Sequence, residues 1–211
     1  DQEVVDLSAA APELPTEMIA LLEAGPDALA RAAGADGTRF PLSSIALHAP
    51  VLRPPKILAV GLNYADHIEE TGMAKPEFPM IFNKQSTSVT GPFDEIHRPQ
   101  VSDKLDYEGE LAVVIGRRCR HVPRDRAHEV IAGYCIANDV SVRDWQMRVP
   151  TMTMGKSFDT HCPLGPALVT TDEVGDGSGL AIATWVNGEI RQQSNTKELI
   201  FDSATLVEHL S

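Results

Sequence analysis

The chain has 211 residues, 43% of them hydrophobic, with 15 glycines and 15 prolines. That suffices for one packed, turn-rich domain plus a small appendage and excludes a disordered chain. The formal charge of −12 argues against nucleic acid and against an anionic membrane as partners. The three cysteines, Cys119, Cys135 and Cys162, are scattered and form no CxxC pair, which supports neither a disulfide framework nor a zinc cluster and points to a reducing, cytoplasmic compartment.

The longest strongly apolar runs, such as 111–115, are too short to cross a bilayer. The opening DQEVVD has neither the basic nor the apolar region of a signal peptide, and without an initiator Met the start is expected to be trimmed. Residues 1–52 are expected to form a small N-terminal α/β segment. It has a short strand at 3–7 and a helix at 16–24 with Met18, Ile19, Leu21 and Leu22 on one side. Gly25-Pro26 stops that helix, and another turn or two of helix follows at 27–33. Pro50 to Pro55 reads as a stiff linker, and the main domain is expected over 53–211.

In that domain the apolar run 57–60 predicts a buried strand, and 63–70 a short helix on which His67 and Glu70, three apart, share a face. A carboxylate beside an imidazole orients it and raises its basicity, as a general base requires. The same spacing also suits two polar residues on a surface turn. Met80–Lys84 predicts a further strand.

Residues 105–116, LDYEGELAVVIG, predict a strand with two unlike faces, because alternate side chains share a side. Leu105, Tyr107, Leu111, Val113 and Ile115 lie on one. Asp106, Glu108 and Glu110 lie on the other, which turns apolar at Ala112 and Val114. Neighbouring carboxylates in a partly buried site are unfavourable without a cation, and an all-oxygen donor set suits a hard divalent ion. An exposed acidic edge that deters strand-to-strand aggregation is the competing reading.

A helix is expected at 127–132 and a strand at 134–139. Asp139, where that strand stops, is placed either as a third ligand or as an Asx turn. Residues 141–148 predict a short helix presenting Arg143, Trp145 and Gln146. The Gly155-Lys156-Ser157 run is not a phosphate loop, because Pro150 stands where that motif needs its first glycine; by itself Lys156 reads as a solvated lysine. Asn187-Gly188 between Ala181–Val186 and 189–193 is a strong two-residue hairpin signal. Asp202 or Ser203 can cap a last helix carrying Leu206, Val207 and Leu210.

Taken in order, GLNYADHIEE (61–70), LDYEGELAVVIG (105–116), GYCIANDVSVRDWQ (133–146), MGKSFDTHCPLGPALVT (154–170) and VNGEIRQ (186–192) resemble the fumarylacetoacetate hydrolase superfamily. The runs DVSVRDWQM and GKSFDTHCPLGPALVT are most similar to its domain-containing protein 2 subgroup. The resemblance covers roughly 54–211. It implies a mainly β fold with short helices (α+β), a mixed β-sandwich roll with a metal at its mouth. Carried over residue by residue, it implies Mg²⁺, or Mn²⁺ or Ca²⁺, on Glu108, Glu110 and Asp139, with Asp106 left as an outer or solvent-facing acid. His67 and Glu70 match a water-activating pair and Lys156 a catalytic lysine. Tyr64, Lys84, Arg143, Gln146 and Thr196 match or neighbour positions around the substrate.

The implied chemistry is metal-stabilised enolate formation from a small 2-oxo acid. Its main expected form is C–C hydrolysis of an acylpyruvate-type substrate. The alternatives are oxaloacetate keto–enol tautomerisation, decarboxylation or hydroxymuconate-type isomerisation at the same site, and a catalytically silent metal-binding relative. A homodimer is implied as well. The family pattern continues with a strand–loop–strand of the type TGTPxGVG that does not occur before Ser211, so the chain is expected to be a piece of a longer protein or to lack that wall of its pocket.

Overall fold

The computed structural model describes residues 3–211. At the N-terminus, β1 (Glu3–Val5) pairs antiparallel with β2 (Arg39–Pro41) around three short helices, α1 (Leu7–Ala10), α2 (Met18–Glu23) and α3 (Pro26–Ala33). Each start follows from a local signal. Asp6 accepts from the Ser8 amide and Glu17 from the Ala20 amide, while Gly25-Pro26 ends one helix and opens the next. Ala11, Leu14, Leu21 and Ala28 are buried together here. Met18 and Ile19 turn the other way and pack on Ala49, Val51, Cys135 and Leu164.

The rest of the chain contributes β3 (Ile57–Gly61), α4 (Ala65–Thr71), β4 (Met80–Lys84), β5 (Val89–Thr90), β6 (Leu105–Asp106), β7 (Gly109–Ile115), β8 (Ile131–Asn138) and β9 (Ser141–Val142). Then come α5 (Arg143–Gln146), α6 (Thr153–Lys156), β10 (Cys162–Thr170), α7 (Thr171–Val174), β11 (Ala181–Val186), β12 (Glu189–Asn195) and α8 (Ser203–Leu210). The central sheet runs β5-β10-β8-β7. It is mixed: β5 lies parallel to β10, and the other two pairings are antiparallel. Antiparallel pairs β3–β4, β6–β9 and β11–β12 surround it. The fold is therefore α+β, mainly β with short helices.

The β11–β12 hairpin turns on Asn187 (φ 53°) and Gly188 (φ 81°), the left-handed pair that a two-residue turn demands. Asp202 caps α8 by accepting from the Thr205 amide at 2.8 Å, and Val207 of that helix packs on Ala127 and Val130. The helix expected at 127–132 is a 3₁₀ turn at Arg124–Glu129 that gives way to β8 at Ile131. Among the described residues no helix is long and apolar enough to cross a membrane.

The largest departure from the sequence-based expectation lies in 105–116. The predicted single strand is broken at Tyr107–Glu108. β6 pairs with β9, and β7 pairs with β8. At the break the backbone is held by side chains: the Glu108 amide donates to Asn138 Oδ1 at 3.1 Å and the Gly109 amide to Gln192 Oε1 at 2.8 Å. A Cβ on Gly109 would lie 2.2 Å from Thr184 Oγ1, so only glycine lets β7 run this close to β11.

Candidate active site

Four pieces of chain meet where β7 and β8 approach the helices α5 and α6. The Asp139 amide donates to the Glu108 carbonyl at 2.8 Å, which sets the end of β8 against the break before β7. The pairing Asp106↔Ser141 and Leu105↔Val142 brings the start of α5 beside the acidic strand. A Cβ on Gly155 would fall 2.2 Å from the Gln146 backbone nitrogen. Glycine there lets α6 lie directly on α5, and Lys156 at its end enters the interior instead of the solvent.

Lys156 is 1% exposed. Its Nζ donates to both Glu108 oxygens at 2.9 and 2.8 Å and to Asp139 Oδ2 at 2.8 Å, and it sits 4.9 Å from the centre of the Phe82 ring. Lys84, also buried, donates to Asp139 Oδ1 at 2.7 Å, to the Val140 carbonyl at 3.3 Å and to the Lys156 carbonyl. Asp139, 6% exposed, is thus gripped by two ammonium groups. An ion pair this deep is tolerated only because each partner's remaining hydrogen-bonding capacity is met.

Arg143 closes the outer side. Its Nε and Nη2 each lie 2.8 Å from Asp106 Oδ2, and its Nη1 donates to Glu108 Oε1 and, at 3.0 Å, to Gln146 Oε1. Ser141 Oγ lies 2.9 Å from the Asp139 carbonyl and 3.2 Å from Glu108 Oε1, and its one proton is shared between these two acceptors. Among the described residues, Glu110 differs from its neighbours in having no ammonium or guanidinium in direct contact. Burial pushes its carboxyl up to about 8, and the charges of Glu108 and Asp139 add to the rise, while Lys156 opposes it. Tyr64, the residue before α4, is pushed up to about 12 by burial first and then by Glu110 and Asp66, which places its phenol near the same group.

Glu108, Glu110 and Asp139 offer oxygen donors close enough that the first and third raise the carboxyl of the second, and oxygen donors are the kind that a hard divalent ion takes. Among the described residues no three Asp, Glu, His or Cys side chains already converge as a finished metal site, because Glu108 and Asp139 are turned toward Lys156.

The other expected site residues divide. Lys84, Arg143 and Gln146 belong to this network, and Tyr64 borders it. His67 and Glu70 share a face of α4 but stand in solvent, with side chains 56% and 81% exposed and Nδ1 to Oε2 at 3.7 Å, too long for a hydrogen bond. Thr196 is buried, and its hydroxyl accepts from the Leu180 amide at 2.8 Å, fastening the foot of the hairpin. Sequence reasoning overlooked Ser141 and Asn138, which hold Glu108 by side chain and by backbone. Their nearness to Asp139 was the available signal. It read Asp106 as an outer or solvent-facing acid, and the structure gives that partly exposed residue Arg143 as its partner.

The family described as "Fumarylacetoacetate (FAA) hydrolase C-terminal" matches residues 56–211. This chain belongs to the fumarylacetoacetate hydrolase family. It is 46% identical over 212 residues to the rat protein named oxaloacetate tautomerase Fahd2a, mitochondrial, covering 99% of this chain and 68% of that one. That likeness puts the chain with the domain-containing protein 2 subgroup. Among solved structures it is similar to 5-carboxymethyl-2-hydroxymuconate delta-isomerase from Mycobacterium smegmatis (TM-score 0.75, 45% identity, 84% of this chain and 69% of that one). It is also similar to maleylpyruvate hydrolase from Sphingobium sp. SYK-6 in complex with manganese(II) and pyruvate (TM-score 0.80, 32% identity, 99% and 76%).

One expectation falls here. The rat relative and a human one, 44% identical, both carry mitochondrial names, which overturns the cytoplasmic reading of the scattered cysteines. Cys119, Cys135 and Cys162 are indeed free thiols, but a reduced thiol does not single out the cytoplasm.

Proposed function

We propose that this protein acts on small 2-oxo diacids of the oxaloacetate type, interconverting keto and enol forms through a shared enolate. The observation that carries this reading is an asymmetry. Lys156, the cation that would stabilise an enolate, is buried against Glu108 and Asp139, whereas His67 and Glu70, the pair matched to water activation, stand in solvent. The relative's tautomerase name supports the same reading.

Glu108, Glu110 and Asp139 would hold a divalent cation, Mg²⁺, Mn²⁺ or Ca²⁺. When bound, it supplies Lewis-acid polarisation of the two oxygens of a 2-oxo acid. Lys156 places a fixed positive charge beside the oxygen on which the enolate charge gathers. A preorganised charge in a water-poor site needs no reorganisation when the reaction occurs. Lys84, with its donors spent on Asp139 and two carbonyls, orients Asp139. Arg143 and Gln146 line the approach and orient the substrate's polar groups, and the Tyr64 phenol borders Glu110.

The second reading is C–C hydrolysis of an acylpyruvate, the activity expected from the motifs alone. The shared face of His67 and Glu70 on α4 favours it, as does the hydrolase name of the Sphingobium neighbour. A homodimer belongs to the same proposal. Ile136, on the central strand β8, is 64% exposed and lies with Pro92, Asp94, Ile96, Asn138, Pro163 and Gly165 around a cleft of mixed polar and apolar lining, about 170 Å³ in volume.

The test compares His67→Ala with Lys156→Ala on oxaloacetate keto–enol conversion and on acetylpyruvate cleavage. The tautomerase reading expects His67→Ala to stay within a few-fold of the parent on oxaloacetate. Lys156→Ala should fall by about 10²–10³, the usual worth of one preorganised charge-stabilising group. Loss of oxaloacetate conversion in His67→Ala, or efficient acetylpyruvate cleavage with none of oxaloacetate conversion in the parent, refutes it.

A further inference from the structure

Asp106 is the acid of the strand that no metal or catalytic role claims, yet it too is paired, with its side chain 41% exposed. Its Oδ2 accepts from Arg143 Nε at 2.8 Å and lies 2.8 Å from Nη2 in the ion pair, and the β6–β9 pairing sets Asp106 opposite Ser141, two residues before Arg143. The other end of the guanidinium is shared. Nη1 donates to Glu108 Oε1 and to Gln146 Oε1, so among the described residues the N–H groups of Nε and Nη1 are committed while Nη2, held against Asp106 as an ion pair, keeps an N–H to spare. Glu108 in turn is surrounded by Lys156, Arg143 and Ser141. It cannot turn toward a cation without surrendering one of these partners.

We propose that Asp106 is a positioning residue that keeps Arg143 at the mouth of the site when Glu108 leaves it for a divalent cation, so that cation loading bares the far edge of Arg143 for the second carboxylate of a diacid. This rests on the proposed reading that Glu108 is a metal ligand and that 2-oxo diacids bind here. The edge freed on Nη1, with the spare N–H on Nη2, is the planar fork that a carboxylate engages with two parallel hydrogen bonds. Without Asp106 the guanidinium, whose side chain is 39% exposed, loses the anchor on its Nε side. Recognition of the second carboxylate then weakens, while chelation of the 2-oxo acid end does not.

The experiment titrates Mn²⁺ into the parent, Asp106→Asn and Asp106→Glu. It then titrates two ligands into the loaded proteins: pyruvate, which has only the chelating end, and 3,3-difluoro-oxaloacetate, which adds a second carboxylate and has no enolisable hydrogen. Asp106→Asn should bind Mn²⁺ and pyruvate within about threefold of the parent and bind the difluoro diacid about 10- to 100-fold more weakly, the worth of a charged hydrogen-bonded contact. Asp106→Glu should recover part of that loss. In the parent, phenylglyoxal should modify Arg143, followed by peptide mass, several-fold faster after Mn²⁺ is added. Equal weakening of both ligands, no weakening of either, or no change in Arg143 reactivity overturns the proposal. Loss of Mn²⁺ binding in Asp106→Asn overturns it by making Asp106 a ligand. Failure of the parent to bind Mn²⁺ overturns the underlying reading together with it, and is seen before any variant is made.

Discussion

In protein stripped of divalent ions, Glu110 is a carboxyl whose ionisation the fold holds back. Burial, and then Glu108 and Asp139, raise it from 4.5 to about 8. Between those two pH values the folded chain holds a proton that the unfolded chain has lost, so stability falls as pH rises from about 4.5 to about 8 and stays lowered above that. The displacement corresponds to at most about 5 kcal/mol at pH 8 and above, and about 2 kcal/mol at pH 6. Partial solvent contact at Glu110 reduces the observable difference to about 1–3 kcal/mol. Glu110→Gln has nothing to ionise. In chelator it should match the parent near pH 4.5 and exceed it by that margin at pH 8.5, as read by urea unfolding at each pH. Adding a cation reverses the ranking. The parent should release close to one proton per Mn²⁺ bound at pH 7, measured calorimetrically in buffers of different ionisation heat, and its affinity should climb up to tenfold per pH unit until about pH 8. Glu110→Gln should release none from this group and bind Mn²⁺ weakly. A stripped Glu110→Gln less stable than the parent at pH 8.5, or Mn²⁺ binding without proton release at pH 7, refutes the assignment of Glu110 as the waiting ligand.

Lys84→Ala should destabilise the protein by about 3–5 kcal/mol in urea unfolding, because it leaves Asp139 and two buried carbonyls short of a donor; a loss under 1 kcal/mol counts against the buried pair. Gly155→Ala forces a Cβ within 2.2 Å of the Gln146 backbone. It should cost about 1–3 kcal/mol and depress oxaloacetate conversion by displacing Lys156, and unchanged kinetics would show that α6 tolerates the shift. Sedimentation of the parent should give a dimer at micromolar concentration and Ile136→Asp should give a monomer; a monomeric parent contradicts the dimer proposal.

What was legible in the sequence depended on how local the cause was. Asn187-Gly188, the Asp202 cap and the strand Met80–Lys84 were readable because the residues that determine them lie within a few positions of one another. The break at Tyr107–Glu108 was not. Alternation favours an unbroken strand, and the groups that interrupt it, Asn138, Gln192 and the close approach of Thr184 to Gly109, come from β8, β12 and β11 in turn. That break matters to the site. It lets Asp106 follow β6 toward β9 and Arg143 while Glu108 and Glu110 stay with Asp139, and a continuous strand would have presented the three acids as equals.

Lys156 shows the same limit from the other side. Read in its own stretch it is a lysine after a glycine, best assigned to solvent. It is buried because Gly155 removes the side chain that would hold α6 off α5, and because Glu108 and Asp139, 48 and 17 residues away, wait for its charge. The pair His67 and Glu70 is the converse. Its spacing was legible, but spacing establishes only a shared helix face, and on that face the two side chains remain in solvent. A motif built from near neighbours survives the fold as geometry whether or not it has a chemical task. A site built from distant charges exists only through the fold, and the burial of those charges is itself the reason to expect a cation and an anionic substrate among them.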